Sequence, residues 1–369
     1  MDFALSEELE AVRDLAREIF TDRATTERVR EVETSETRVD DKLWSDVARA
    51  GLIGPALPEE VGGAGLGLAA LCVLLEEQGR CVAPVPLWPA VVGALAVAAH
   101  GSARQRSALL PSAVDGTARL TLALEEFGPA DPLAPLTSAI ADGQGWRLTG
   151  TKAVVPSPSG ADHVLVTAAT DAGTCLFLVA ADAAGVTWEQ AETTSHDLSA
   201  HLVLDGAFAE AVGTPGSGAV EWSVDRAGVA LAAVQLGVAE GALRHAATYL
   251  TDRHQFGRPL ATFQAVQHQL ADCYIDIEAM RVTLWQAVTA LEDGEDAERA
   301  VLVAKWWATD SGLNVVHRVQ HVHGGMGVDT DYPVHRHFLW GKQISTTLGG
   351  ASADLSRLGA VLAREAVTS

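Results

Sequence analysis

Tyr249-Leu-Thr-Asp-Arg253-His-Gln255-Phe256-Gly257-Arg258-Pro259-Leu260, followed by Phe263-Gln264-Ala-Val-Gln267, is the stretch whose reading decides the fold. Apolar residues at helical spacing lie on both sides of it, so Phe256-Gly257-Arg258-Pro259 ends one long helix and turns the chain into the next. Arg253 and Arg258 put two cations beside that turn, and a pyrophosphate group needs such charge-assisted donors. A plain helix–helix corner with exposed arginines uses the same residues, and composition does not separate the two.

C-terminal to residue 221 the pattern is helical. It predicts helices over about 224–250, 263–291, 297–322 and 353–366. Between about 120 and 212 helical spacing fades. Short β-rich runs appear at Leu120–Leu124, Trp146–Leu148, His163–Thr167, Cys175–Val179 and His201–Leu204, separated by Gly, Asp, Pro and Ser. That reads as an antiparallel β-domain. Residues 1 to about 113 are helical again. Ser6 caps a first helix carrying Leu9, Val12, Leu15, Ala16 and Ile19. Leu43, Val47 and Ala48 mark a second that stops at Gly51. A turn-rich segment over 54–65 precedes an apolar helix from Leu66 to Gln78, which Gly79 is expected to end.

A second motif is His321-Val322-His323-Gly324-Gly325-Met326-Gly327. Two glycines just past a helix let backbone approach a ligand closely, and a helix-ending turn uses them equally. Neither this run nor Gly63-Ala64-Gly65-Leu66-Gly67 has the strand and the GxGxxG spacing of a Rossmann fingerprint. The pairs His321/His323 and His335/His337 allow metal ligation by spacing, but no Cys or carboxylate cluster completes a set. Turn and interface histidines are the expectation, and no metal.

The chain is 48% apolar but only 5% aromatic, so Ala, Val and Leu must fill the core and helices must pack at close approach. A formal charge of −22 argues against nucleic acid and against anionic membranes. Cys72, Cys81, Cys175 and Cys273 lack CxxC or metal spacing and fit a reducing compartment. The N-terminus has neither a basic region nor an apolar core of signal-peptide type, so a cytoplasmic location is expected.

Together these residues resemble acyl-CoA dehydrogenases over essentially the whole chain. The resemblance is carried by Met1–Glu8, the Leu57-Pro58-Glu59-Glu60-Val61-Gly62-Gly63-Ala64-Gly65 loop, Leu148–Lys152, Arg253–Gly257, Phe263-Gln264 and the His323–Gly327 turn. It implies an α+β fold: an N-terminal α-helical domain (1–115), a middle antiparallel β-domain (116–214) and a C-terminal four-helix bundle (215–369). It implies FAD across a subunit interface, an acyl-CoA substrate, and an acceptor like electron-transfer flavoprotein. In such enzymes a glutamate removes the α-proton and flavin accepts the β-hydride. Carried over residue by residue, Arg253, Gln255 and Phe256 meet the ADP arm of a neighbour's FAD. Phe263 and Gln264 lie beside them, and His321, Gly324 and Gly325 touch the same arm. The family has Gln where His321 stands.

Three departures carry information. Leu348 occupies the family's catalytic glutamate position, and leucine cannot take a proton. The alternative base position on the first C-terminal helix falls near Ala227, leaving Asp225 and Glu240 as the weak candidates. Asp225 is two residues away, about 200° around the helix. In the β-domain, Glu125-Glu126-Phe127-Gly128-Pro129-Ala130-Asp131 lacks the hydroxyls of the family's flavin loop. The family's Trp against the flavin ring is Val154, and its Thr is Pro156, which has no N–H. The half that grips a neighbour's ADP arm is retained, and the half that seats the subunit's own flavin is lost. That pattern resembles the weaker partner of actinobacterial heteromeric (α2β2) acyl-CoA dehydrogenases, many of which desaturate steroid side-chain CoA esters. The tail Tyr332–Lys342 looks like that subgroup. The alternatives are a self-sufficient homotetramer, a flavin-dependent oxygenase or N-hydroxylase, and a cofactor-free scaffold.

Overall fold

The structure, a computed structural model, describes residues 5–128, 131–143 and 145–368. Residues 1–4 of the N-terminal motif, and Pro129 and Ala130 of the β-domain loop, lie outside the described residues.

Six helices come first: α1 (Glu7–Arg23), α2 (Thr26–Glu33), α3 (Asp41–Arg49), α4 (Gly67–Arg80), α5 (Leu87–His100) and α6 (Ala103–Val114). Ser6 caps α1 by accepting the Leu9 amide at 3.3 Å, and Asp40 caps α3 through the Leu43 amide at 3.1 Å. Ser102 and Gln105 form a reciprocal capping box on α6, satisfying two orphan donors at once. Gly51 stops α3 with φ +71°, as its position implied.

Seven strands follow: β1 (Leu120–Ala123), β2 (Ser138–Asp142), β3 (Gly145–Pro156), β4 (His163–Thr170), β5 (Gly173–Ala180), β6 (Val186–Glu192) and β7 (Leu198–Val212). Pairing runs β1-β4-β2-β3-β7-β5, with β6 on β7 and β4 also on β5, so the ring from β4 round to β5 closes on itself. The interior holds Leu148, Val155, Val166, Phe177, Leu202 and Leu204. Trp146 packs edge-on against Phe177 at 5.3 Å. Two pairings, β1–β4 and β2–β4, are parallel, where sequence suggested antiparallel strands throughout. β2 and β6 were also not foreseen. Both are mostly exposed, so their apolar alternation is faint.

The long helix α7 (Ala219–Asp252) leads into the two-residue strands β8 (His254–Gln255) and β9 (Arg258–Pro259). Then come α8 (Gln264–Glu292), α9 (Glu298–His323), α10 (Val334–Ile344) and α11 (Ala351–Thr368). Among the described residues α7 alone is long and apolar enough to cross a membrane, and 83% of its most apolar window is buried inside the protein.

Contacts divide the chain into two compact units. One comprises residues up to 31, Cys72–Ala83 and the chain from Gly228; the other comprises Val32–Leu71 and Pro84–Ala227. In the first unit α4 and α7 touch backbone to backbone. A Cβ on Gly79 would sit 2.2 Å from the Val234 carbonyl oxygen, and one on Gly237 would sit 2.0 Å from that of Glu76. α4 runs one residue past Gly79, to Arg80. Gly79 lies inside the helix because only a residue without Cβ fits the crossing.

Beside this seam a charge cluster ties α1, α4, α7 and α8. Arg17 forks onto Glu77 at 2.8 and 3.1 Å. Arg80 meets Glu76, Glu77 and Glu240, and Arg281 meets Glu76 at 3.0 Å and also Glu240. Gly237→Ala must push the helices apart, an overpacking cost of about 1–3 kcal/mol. It should lower the thermal unfolding midpoint by roughly 5 °C. Gly359→Ala, in α11 with nothing within 4 Å of the added carbon, is the control and should hold or raise the midpoint.

Candidate functional site

The turn after α7 is a tight hairpin. β8 and β9 pair through His254↔Pro259 and Gln255↔Arg258. Phe256 and Gly257 between them have φ +54° and +77°, the left-handed geometry that two-residue hairpins demand. For Phe that conformation is strained. It turns the ring outward, 90% exposed and edge-on to Phe263 at 6.0 Å. The Arg258 guanidinium lies over the Phe263 ring at 4.1 Å. The Leu260 amide donates to the Arg253 carbonyl at 2.9 Å and closes the corner. Arg253 is exposed and has no ion-pair partner among the described residues. α8 starts at Gln264 with no side-chain cap, so its positive end is open to an anion.

The second sequence-predicted segment sits at the end of α9. Gly324 follows the helix at φ +58°, ψ −135°, with its N–H donating to the His321 carbonyl. A Cβ at Gly324, Gly325 or Gly257 would meet nothing within 4 Å, so these backbones face open space. His321 is exposed. The Gln320 amide holds the turn from below by donating to the Gly327 carbonyl.

One stack joins the two segments. Tyr249, one turn before Arg253, lies flat on His323 with centroids 4.7 Å apart and planes 21° apart. Tyr332 covers both rings at 6.1 and 5.4 Å. His245 and His337 continue the cluster, 5.1 Å apart. Burial pulls His337 down to about 3, and burial lowers His323 and His245 as well. The spacing of His323 from His321 flagged this residue, but ring stacking between distant helices leaves no local mark on a sequence. Among the described residues no group of three or more His, Cys, Asp or Glu side chains is placed to hold a metal.

The β-domain loop is locked rather than open. Glu126 accepts from the Thr137 amide at 2.9 Å, the Thr137 hydroxyl at 2.7 Å, the Leu136 amide at 2.6 Å and the Lys152 ammonium at 2.7 Å. Lys152 is wholly buried and also donates to the Thr167 hydroxyl at 2.9 Å. Burial drags its ammonium down to about 8 against the pull of Glu126. Burial pushes Glu126 up, but the bonds from Lys152 and Thr137 outweigh it and leave the carboxylate below its ordinary value. A lone lysine in an apolar strand was the available signal for this pair. Beside it Val154 stands at φ +50°, 36% exposed, in an irregularity of the β3–β7 register. Its N–H donates to His201 Nδ1 at 3.2 Å. Phe127, 58% exposed, meets the same imidazole edge-on at 4.8 Å.

The candidate base positions are three distinct environments. Leu348 sits in the turn after α10 at φ +57°, 7% exposed. The buried Lys305 ammonium holds that turn by donating to the Thr347 carbonyl at 2.9 Å. Glu240 is engaged by the guanidiniums of Arg80 and Arg281. Asp225 is partly buried in the first turns of α7, next to Arg226 stacked on Trp222 at 3.8 Å.

Comparison with known proteins gives one consistent result. The family model described as acyl-CoA dehydrogenase, N-terminal domain, matches residues 6–117, and that described as acyl-CoA dehydrogenase, C-terminal domain, matches 215–358. A curated relative, acyl-CoA dehydrogenase FadE27 of Mycobacterium tuberculosis, is 39% identical over 373 aligned positions, covering 98% of this chain and 99% of the relative. The solved Tcur3481-Tcur3483 steroid ACAD G363A variant is 65% identical with TM-score 0.96, covering 98% of this chain and 99% of that one. The ChsE4-ChsE5 complex from Mycobacterium tuberculosis is 39% identical with TM-score 0.93, again over 98% and 99%.

Glu126→Gln strands the Lys152 ammonium in the β-domain. Denaturant unfolding should show a loss of about 3–5 kcal/mol, most of it recovered by the double variant Glu126→Gln/Lys152→Met. A loss under about 1 kcal/mol would mean that the pair is not the lock of the loop.

Proposed function

The chain belongs to the acyl-CoA dehydrogenase family, FAD-using oxidoreductases that act on the CH–CH bond of acyl-CoA thioesters, and from that premise we propose that it is the non-basic subunit of a heteromeric enzyme. In this reading it lends its partner the seat for the ADP arm of FAD and supplies no proton acceptor of its own.

The observation that carries the reading is Leu348. The turn at the position matching the family's glutamate has a left-handed backbone and is clamped by Lys305, and an aliphatic side chain fills it. Glu240 offers no substitute, because two guanidiniums hold its oxygens. The residues present at the other end fit an extended anionic arm. Arg253 is an exposed cation, α8 opens on an uncapped end, and the backbones of Gly257, Gly324 and Gly325 leave room for close approach. Phe256 offers an exposed ring for a base to lie against. Arg253 and the α8 amides would hold phosphate charge, and Gln255, Phe263, Gln264 and His321 would line the arm. Bound FAD supplies the hydride acceptor; these residues only bind and orient it.

The ring seat does not fit in the same way. Glu125 and Phe127 stand where the family has Thr and Pro beside the flavin, and Val154 replaces the tryptophan. Glu126, between Glu125 and Phe127 in sequence, is engaged by the buried Lys152 ammonium. The relatives point the same way, since one is described as a steroid acyl-CoA dehydrogenase of two components and another as a two-component complex. A homologous subunit in an α2β2 assembly, a steroid side-chain CoA ester as substrate, an acceptor like electron-transfer flavoprotein and a cytoplasmic setting complete the reading. So does a division at residues 115 and 214 into helical, β and helical domains.

Two outcomes follow. Purified alone, the chain should be colourless near 450 nm. Co-expressed with its homologous partner subunit, it should give a yellow tetramer with two FAD per four chains. One FAD per chain in a lone homotetramer overturns the reading. In the complex, Asp225→Asn should leave flavin bleaching by acyl-CoA within about twofold of wild type, whereas a base must lose about 10²-fold or more.

A further inference from the structure

We infer that the neutral His323 imidazole is a positioning residue for the ADP-arm seat, and that protonating it on acidification releases FAD. The inference rests on reading that face as the seat, and it names a regulation of the same site. His323 is the last residue of α9 and precedes Gly324 directly. Its ring lies on Tyr249, four residues before Arg253. The stack is thus a direct link between the hairpin that carries Arg253, Gln255 and Phe256 and the turn that carries Gly324 and Gly325.

The hydrogen bonding of the ring makes the link sensitive to charge. Nδ1 faces the Val319 carbonyl at 2.7 Å. A carbonyl only accepts, so Nδ1 carries the proton and Nε2 is the unprotonated nitrogen. Nε2 is buried and without a hydrogen-bond partner among the described residues, and the residue as a whole is 3% exposed. A second proton would create an N–H⁺ there with no acceptor, in surroundings where an unpaired charge is costly. The cheaper outcome is for His323 to leave the stack and take the Gly324–Val328 turn with it.

The other groups around the ring do not offset that charge. From α7 come Tyr249 and His245, the latter beside Arg244. From the chain around α10 come Tyr332, His335 and His337. His337 donates to the Arg80 carbonyl at 3.1 Å and, at about 3, stays neutral through any mild acidification. Asp331, next to Tyr332, pairs with Arg30. Burial lowers His323 below the ordinary histidine value. The folded state therefore favours the neutral ring: its contribution is complete above about pH 6.5 and is lost as pH falls below that value.

The test uses the complex with its partner subunit. FAD released through a 10 kDa filter is read by flavin fluorescence from pH 8 to 5, for wild type, His323→Phe and His323→Gln. Both variants lack the titrating nitrogen, and Phe keeps the stack. The readout is the ratio of FAD retained at pH 5.5 to that at pH 8, which should fall about tenfold in wild type and less than twofold in either variant. The same steep fall in both variants, or a fall abolished instead by His245→Phe, overturns the inference. The thermal midpoint over the same pH range is a second readout that needs no FAD. Wild type should lose more of it than His323→Phe, and parallel losses count against His323. Arg253→Ala at pH 8 separates the two levels. Lost FAD there with unchanged acid profiles removes the role of His323 alone, whereas undiminished FAD removes the seat.

Discussion

Three glycines without side chains hold the helical unit in place. Gly79 and Gly237 let α4 and α7 touch through their backbones. Gly241 continues the seam, where a Cβ would strike the Arg80 carbonyl oxygen at 2.4 Å and His337 Nε2 at 2.6 Å. Each glycine inside a helix costs roughly 1 kcal/mol relative to alanine, so the seam is kept for what it positions. On one side it presents Glu76, Arg80 and Glu240 to one another and to Arg281. On the other it seats His337 against the Arg80 carbonyl and so starts the ring cluster that runs through His245 and Tyr332 to the Tyr249–His323 stack. The geometry of the face that carries the Phe256 hairpin and the Gly324–Gly325 turn is thus inherited, through packed rings, from a helix crossing.

The charge cluster beside the seam engages both oxygens of Glu240. Glu240 lies on α7, as a base of the alternative type would, yet it serves as one vertex of a network spanning four helices. Removing one member of such a network exposes the others to an unpaired buried charge. Its carboxylate is accordingly spent on holding helices in register. Leu348 makes the complementary point. Its turn has a left-handed backbone and the buried Lys305 clamp, and the side chain it carries is aliphatic.

The β-domain divides in the same manner. Its closed ring of strands and the Glu126–Lys152 pair are structural and complete. On the surface where Phe127, Val154 and His201 meet, none of the three supplies a hydroxyl and Val154 is aliphatic. The Glu126–Lys152 pair is buried, whereas Phe127 and Val154 are exposed. On the proposed reading, the chain keeps the family's architecture and lends a partner one half of a cofactor site.

The order of helical, β and helical segments was legible in the residues, because helical and strand periodicities are local and each segment is long. Low aromatic content also announced close helix packing, and the glycines of α4 and α7 are its agents. The Phe256-Gly257 hairpin and the glycines after His323 were legible for the same reason, since backbone geometry near Gly and Pro is set within a few residues. Tertiary structure alone decided the rest. Gly79 read as a helix end and is also a helix–helix contact, Glu240 read as a weak base candidate and is held by two guanidiniums, and Lys152 and Glu126 found each other across 26 residues of chain. His323 and Tyr249 became a stack between two helix ends. Each of these depends on which distant side chain fills the space opposite, and that is a property of the packed interior, which no local pattern encodes.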